Sequence, residues 1–253
     1  MAISTRTSNF AAFNLRYSAF LGMLYVTSDV IEAAIKDVKA QVGGEAEVKK
    51  GYQGNTGNSA SAQAIASLRS QGVVPASVHG TLTSARVVNR DVDGRPTPYL
   101  NVGLKDADGR YYISVALAQS GAQMLARKLA NCVPGVETEI SMFATYGAKP
   151  GAPRAYADHG ASVKQGGVEV KGVNPSLALK PMIEAAIKQL EDAGVTKASD
   201  KETVNRRRTK VEVDFHVKLM EDVNKVFAEH YAQTEQPFED TASAGHPDDN
   251  VPF

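Results

Sequence analysis

Apolar and polar positions change rhythm several times along the chain, and each change marks an element. Residues 10–26 mix alternating stretches with aromatics, which predicts a strand or a pair of strands. From Ser28 to Val42, Val30, Ala34, Ile35 and Val38 recur at helical spacing, with Ser28 or Asp29 as N-cap and Gly43 and Gly44 as the stop. A Gly/Asn/Ser-rich loop, GYQGNTGNSAS, follows, and then a short helix from about Ala60 to Ser70 closed by Gly72. From Val78 the period drops to two. Val78–Asn89, Tyr99–Lys105 and Arg110–Leu117 read as three strands of a meander. The first turn is made by Asp93-Gly94 with Pro96 and Pro98, the second by Asp106 to Gly109. A helix over about 119–131 presents Met124, Leu125 and Leu129. Strands are expected again over 136–146 and in a hairpin over 162–173 that turns at Gln165-Gly166-Gly167.

Three strands, a helix and two more strands is the element order of the OB fold, a five-stranded, partly open barrel used to bind oligonucleotides. The pattern therefore predicts a mainly β, α+β chain in four parts. These are an N-terminal extension of a strand and helices (1–77), the barrel (78–173), a C-terminal helical region (174–232) and a disordered acidic tail (233–253). In the helical region, Pro175 opens a helix that Gly194 closes, and Ser199 with Glu202 forms a capping box for a long last helix. Val211, Val213, Phe215 and Val217 alternate, so residues 210–217 fit a strand as well.

Charge alters the picture through its distribution. The formal net charge is zero, yet residues 233–253 hold five acids and no Lys or Arg, leaving 28 bases against 23 acids in residues 1–232. The body is thus +5 and the tail −5, a polarity suited to a polyanionic partner for the body. One cysteine, Cys132, excludes an internal disulfide and fits a reducing, cytoplasmic setting. The run AFLGMLYV (19–26) is too short to span a membrane and lacks a cleavage site directly after it, so it is expected to be a buried strand.

No motif points to an enzyme or to a cofactor. Gly51, Gly54 and Gly57 are spaced neither as a dinucleotide fingerprint nor as a phosphate loop, and a flexible loop accounts for them. His79, His159, His216, His230 and His246 share no metal-ligand spacing with one another or with Cys132. The barrel strands are more informative. If Leu100, Val102 and Leu104 face the core, then Tyr99, Asn101, Gly103 and Lys105 face outward. With Tyr111, Ile113, Val115 and Leu117 inward, Arg110, Tyr112 and Ser114 are outward too. Tyr99, Lys105, Arg110 and Tyr112 would share one face, where rings stack on unpaired bases and cations follow phosphates, and Gly103 would leave room for a base. Phe143 and Tyr146 would extend that surface, although strict alternation sends one of them to the core. The connection GAKPGAPRAYADH (147–159) adds Lys149, Arg154 and Tyr156 on a Gly/Pro scaffold. Arg206, Arg207, Arg208 and Lys210 form the densest basic run, which fits a solvated helix face better than a DNA contact.

The last six residues, Asp248-Asp249-Asn250-Val251-Pro252-Phe253, resemble the acidic tip of bacterial single-stranded DNA-binding proteins, where aspartates precede an aliphatic residue, proline and a terminal phenylalanine. Asn250 stands where another acid is usual, and Val251 replaces a commoner isoleucine. The resemblance covers only this tip; with its long N-terminal extension the chain looks more like the divergent bacteriophage members of that family. It implies a non-sequence-specific single-stranded DNA-binding protein in replication, recombination or repair, a possible homo-oligomer that recruits partners through Asp248, Asp249, Val251, Pro252 and Phe253. A recombination mediator or strand-annealing protein would share these features; a metal-dependent nuclease would need clustered carboxylates, which the sequence does not offer.

Overall fold

The computed structural model describes residues 11–41, 44–54, 59–73, 76–147 and 156–233. Two short strands, β1 (Ala11–Ser18) and β2 (Met23–Val26), precede three helices, α1 (Asp29–Gln41), α2 (Glu45–Val48) and α3 (Ala60–Ser70). The meander follows as β3 (Ser77–Val92), β4 (Arg95–Lys105) and β5 (Gly109–Ala116). After it come α4 (Ser120–Leu129), then β6 (Glu137–Gly147), β7 (Tyr156–Gln165) and β8 (Val168–Glu169). Helices α5 (Ser176–Asp192) and α6 (Lys201–Gln233) complete the described chain.

All eight strands belong to one sheet, in the order β2-β1-β5-β4-β3-β6-β7-β8, and β2 also bridges to β6. That bridge pairs Met23 with Phe143 and is reinforced by the Ala144 N–H donating to the Gly22 carbonyl at 3.0 Å. Six strands thus form a ring, with β7 and β8 running on from β6. A mixed α+β architecture is what the pattern predicts, but the five-stranded barrel is not what forms. The N-terminal residues supply two strands of the sheet. β1 lies parallel to β5, from Ala11 opposite Gly109 to Arg16 opposite Ser114. The cause is in its alternation: Leu15 and Tyr17, with Leu24 of β2, enter the same core as Leu100, Val102, Ile113 and Val115. α4 adds Ala122, Leu125 and Leu129 to this core, and α6 adds Met220, Val223 and Phe227.

β2 is covered on both sides. Leu24 faces the main core while Met23 and Tyr25 join Phe20 and Leu21 in a second one under α1 and α3, which accounts for the unbroken apolar run 19–26 as a doubly buried strand. On α1 the buried stripe is Ile31, Ala34 and Val38. Val30, expected to be part of it, is 44% exposed because it lies a helical step to the side.

Further boundaries differ from the pattern: the hairpin expected over 162–173 starts earlier, with β7 from Tyr156, and ends earlier, with β8 stopping at Glu169. Pro96 and Pro98 lie within β4, opposite Asp91 and Asn89. The turn is Asp93-Gly94 alone, with φ of 53° and 72°, the left-handed pair that a two-residue hairpin requires. The proline positions are tolerated because this end of β4 pairs only with β3, β4–β5 pairing stopping at Tyr99 opposite Ala116. α6 is helical through 210–217, since Val213, Val217, Met220, Val223 and Phe227 form a stripe against the core that outweighs the local alternation. Its cap is Asp200, not Ser199: Asp200 Oδ1 accepts from the Thr203 N–H at 2.9 Å, and Ser199 is engaged instead with Thr196.

Candidate nucleic-acid interface

Residues opposite one another in a ladder point to the same side of the sheet, so the register defines a surface. Leu100, Val102, Leu104, Ile113 and Val115 are buried, which turns their neighbours outward. One row across the strands is Thr81, Lys105, Arg110 and Ala12; the next carries Ser84, Gly103, Tyr112 and Asn14; a third carries Arg86, Asn101, Ser114 and Arg16. Beyond them Val88 lies beside Tyr99, and Arg90 beside Thr97. Arg16 and Asn14 are exposed, and Arg86, Arg90, Tyr99, Lys105, Arg110 and Tyr112 are half-buried.

The outward positions of β1, β5, β4 and β3 in these rows hold Arg16, Arg86, Arg90, Lys105 and Arg110, with Arg95 at the hairpin end, and no carboxylate. Outward carboxylates begin on β6, where Glu139 pairs with Lys164 at 3.2 Å. Successive rows lie about 7 Å apart, two residues along a strand. Tyr112 therefore sits between a row with two arginines and a row with Lys105 and Arg110. Ser114 Oγ donates to Asn101 Oδ1 at 2.8 Å, which fixes the polar floor between the arginines.

The tyrosines are not equivalent. Arg90 lies over the Tyr99 ring, its guanidinium carbon 4.9 Å from the centroid, so one face of Tyr99 already carries a cation. Tyr111, expected inside, is half-buried at the margin of the core, stacked on Phe13 of β1 at 5.2 Å. Gly103 does not leave an open space. A β-bulge between Leu82 and Ser84 inserts Thr83 into β3, and a Cβ on Gly103 would come within 2.6 Å of Ser84 Oγ and 2.9 Å of Thr83 Oγ1. The glycine is there to accommodate the two hydroxyls of the bulge.

The other expected contacts lie elsewhere. Phe143 is on β6, 42% exposed, with its ring over Gly160; β3 and β4 separate it from Tyr112 on one side, β2 and β1 on the other. Tyr146 has the opposite parity and packs against Gly54, where a Cβ would approach its own Cβ to 2.8 Å. The described residues of the glycine-rich segment, 51–54 and 59–61, are held at this point. Tyr52 N–H donates to the Ala19 carbonyl and Gln53 N–H to Ser61 Oγ, both at 3.0 Å. Gly51 and Gly54 adopt φ of 71° and 63°. Tyr156 begins β7 opposite Gly147, and its side chain lies outside the described residues, as do Lys149, Arg154 and Gly57. Asp248, Asp249, Val251, Pro252 and Phe253 are outside them as well.

The basic run on α6 is engaged along its own helix pair. Arg206 pairs with Glu202, Arg207 donates to Gln189 at 3.1 Å, Arg208 to Glu212 at 2.9 Å and Lys210 to Asp214 at 2.7 Å. Arg16, Arg86 and Arg90 are the residues that pattern reading missed. The i, i+2 spacing of Ser84, Arg86, Val88 and Arg90 along one strand was the available clue. Cys132 is buried, and burial pushes its thiol up to about 11, away from reactivity. Among the described residues no group of three or more His, Cys, Asp or Glu is placed to hold a metal, and no helix is long and apolar enough to cross a membrane. No protein-family model, no curated protein and no solved structure matches this chain.

Proposed function

We propose that this protein binds single-stranded DNA without sequence preference, using the outward face of β3, β4, β5 and β1. The observation that carries the proposal is the run of cations around Tyr112 and Tyr99 with no carboxylate at the outward positions of four adjacent strands. Cations spread over neighbouring rows follow a flexible phosphate backbone, and a ring between them offers a stacking surface that every base can use. A duplex hides those base faces, so the ring favours an unpaired strand.

The connectivity supports the same reading at a finer level. The order β5-β4-β3-β6-β7, with α4 between meander and hairpin, is compatible with a plan derived from the OB fold, in which β1 and β2 link β5 back to β6 and leave β7 outside the ring. In this account the acidic residues that follow α6 form a tail whose tip, Asp248 to Phe253, docks on proteins of replication, recombination or repair. The terminal ring and carboxylate suit an apolar pocket rimmed by Arg or Lys.

The test is a competition titration with a labelled single-stranded oligonucleotide, against unlabelled single strand and unlabelled duplex of the same sequence at moderate salt. The single strand should displace the label well below the concentration at which the duplex does. Equal competition would remove the proposal.

A further inference from the structure

Helix α5 is apolar on two sides. Toward α6 it turns Ala186, which is buried, with Ile183, Ile187 and Leu190 half-buried. On its other side Leu177, Ala178, Pro181, Met182 and Ala185 form a stripe in which all five residues are exposed, Leu177 by 90% and Met182 by 46%. Between Leu177 and Ile187 the only charged residues are Lys180 and Glu184. A helix that is apolar nearly all round is normally covered all round.

We infer that the stripe is the contact between two copies of this chain, packed α5 against α5 in antiparallel fashion about a two-fold axis at Met182. Charge selects this occupant. Lys180 and Glu184 flank the stripe on one edge, 3.8 Å apart within the helix. An antiparallel two-fold centred on Met182 sets Lys180 of each copy opposite Glu184 of the other. The patch is thus its own complement, as an isologous contact requires. Ala178, Ala185 and Pro181 are small enough for the helices to approach closely, and Leu177 and Met182 supply the side chains that interdigitate. Because α5 already packs along α6, two copies bring together four helices, a bundle that covers the apolar side now exposed. The chain's own acidic tail is the poorer occupant: Glu184, Glu191 and Asp192 outnumber Lys180 and Lys188 on α5, so the stripe has no positive rim to attract it. The inference stands independently of the nucleic-acid proposal.

Sedimentation equilibrium of the full chain should give twice the 26.9 kDa chain mass at micromolar concentration. The double variant Leu177→Glu/Met182→Glu should sediment as a monomer and keep the wild-type far-ultraviolet circular dichroism spectrum, since both residues are exposed. Lys180→Glu should weaken association by at least about tenfold, and adding Glu184→Lys to it should restore the dimer. A full chain that stays monomeric overturns the inference, as does a dimer that survives the Leu177/Met182 change. A monomer that dimerises only on Phe253→Ala assigns the stripe to the tail and overturns it equally.

Discussion

Replacing Gly103 by alanine separates two accounts of the same position. If the glycine left room for a base, Gly103→Ala would lower DNA affinity and spare stability. The structure requires the reverse. The added methyl group would stand 2.6 Å from Ser84 Oγ and 2.9 Å from Thr83 Oγ1, well inside contact distance. Overpacking of this kind costs about 1–3 kcal/mol. The backbone there is not left-handed, so alanine returns about 0.4–1 kcal/mol by restricting the unfolded chain. Each hydroxyl can also turn about one bond, which places the net loss at about 1–2 kcal/mol. In a chain of this length that lowers the melting temperature by roughly 2–8 °C. Urea denaturation and thermal circular dichroism measure it directly. Ser84→Ala removes the nearest atom, so Ser84→Ala/Gly103→Ala should recover at least about half of the loss relative to Ser84→Ala alone. Wild-type stability in Gly103→Ala together with weakened oligonucleotide binding would refute this reasoning and reinstate a base pocket.

Stacking predicts a difference between rings: Tyr112→Ala should cost about 1–3 kcal/mol in single-strand affinity, and Phe143→Ala, off the face, less than about 0.5 kcal/mol, both read by fluorescence anisotropy. His216 is 1% exposed. Its Nδ1 lies 2.6 Å from the Glu212 carbonyl, its Nε2 has no hydrogen-bond partner, and burial, with Arg127 nearby, holds its pKa below the ordinary 6.5. His159 is lowered by burial too. The unfolded chain then binds more protons than the folded one below pH 6.5, so stability is full above that pH and falls as pH drops toward the depressed values. His216→Leu should show a flatter decline in urea midpoints measured across this range. Deleting residues 248–253 should abolish capture of partner proteins while leaving DNA affinity unchanged or modestly higher at low salt, as pull-down and anisotropy would report; reduced DNA affinity would count against that role for the tail.

The sequence made the local elements readable because their causes are local. Alternation in Leu100, Val102 and Leu104 and in Ile113 and Val115 identified both faces of β4 and β5, and with them Tyr99, Lys105, Arg110 and Tyr112. What escaped depends on distant chain. β1 pairs with β5 about a hundred residues away, and nothing in Ala11–Ser18 names that partner. The bulge at Thr83 shifts the register by one residue, so Gly103 looked open when two hydroxyls cover it. Val211 to Val217 alternate like a strand, but the helix wins through contacts that Val213, Val217 and Met220 make with the distant core. Arg16 and Arg86 join the face only once β1 and β3 are known to flank β5 and β4.

The salt dependence of single-strand binding, compared between the wild type and Arg16→Ala/Arg86→Ala/Lys105→Ala/Arg110→Ala, tests the face most directly. Each phosphate contact on a single strand contributes about 0.7 to the slope of log K against log salt. Loss of four cations that follow the backbone should therefore flatten the slope by up to about 3, with folding retained by circular dichroism. A folded variant with the wild-type slope would place the nucleic acid elsewhere on the molecule and contradict the account.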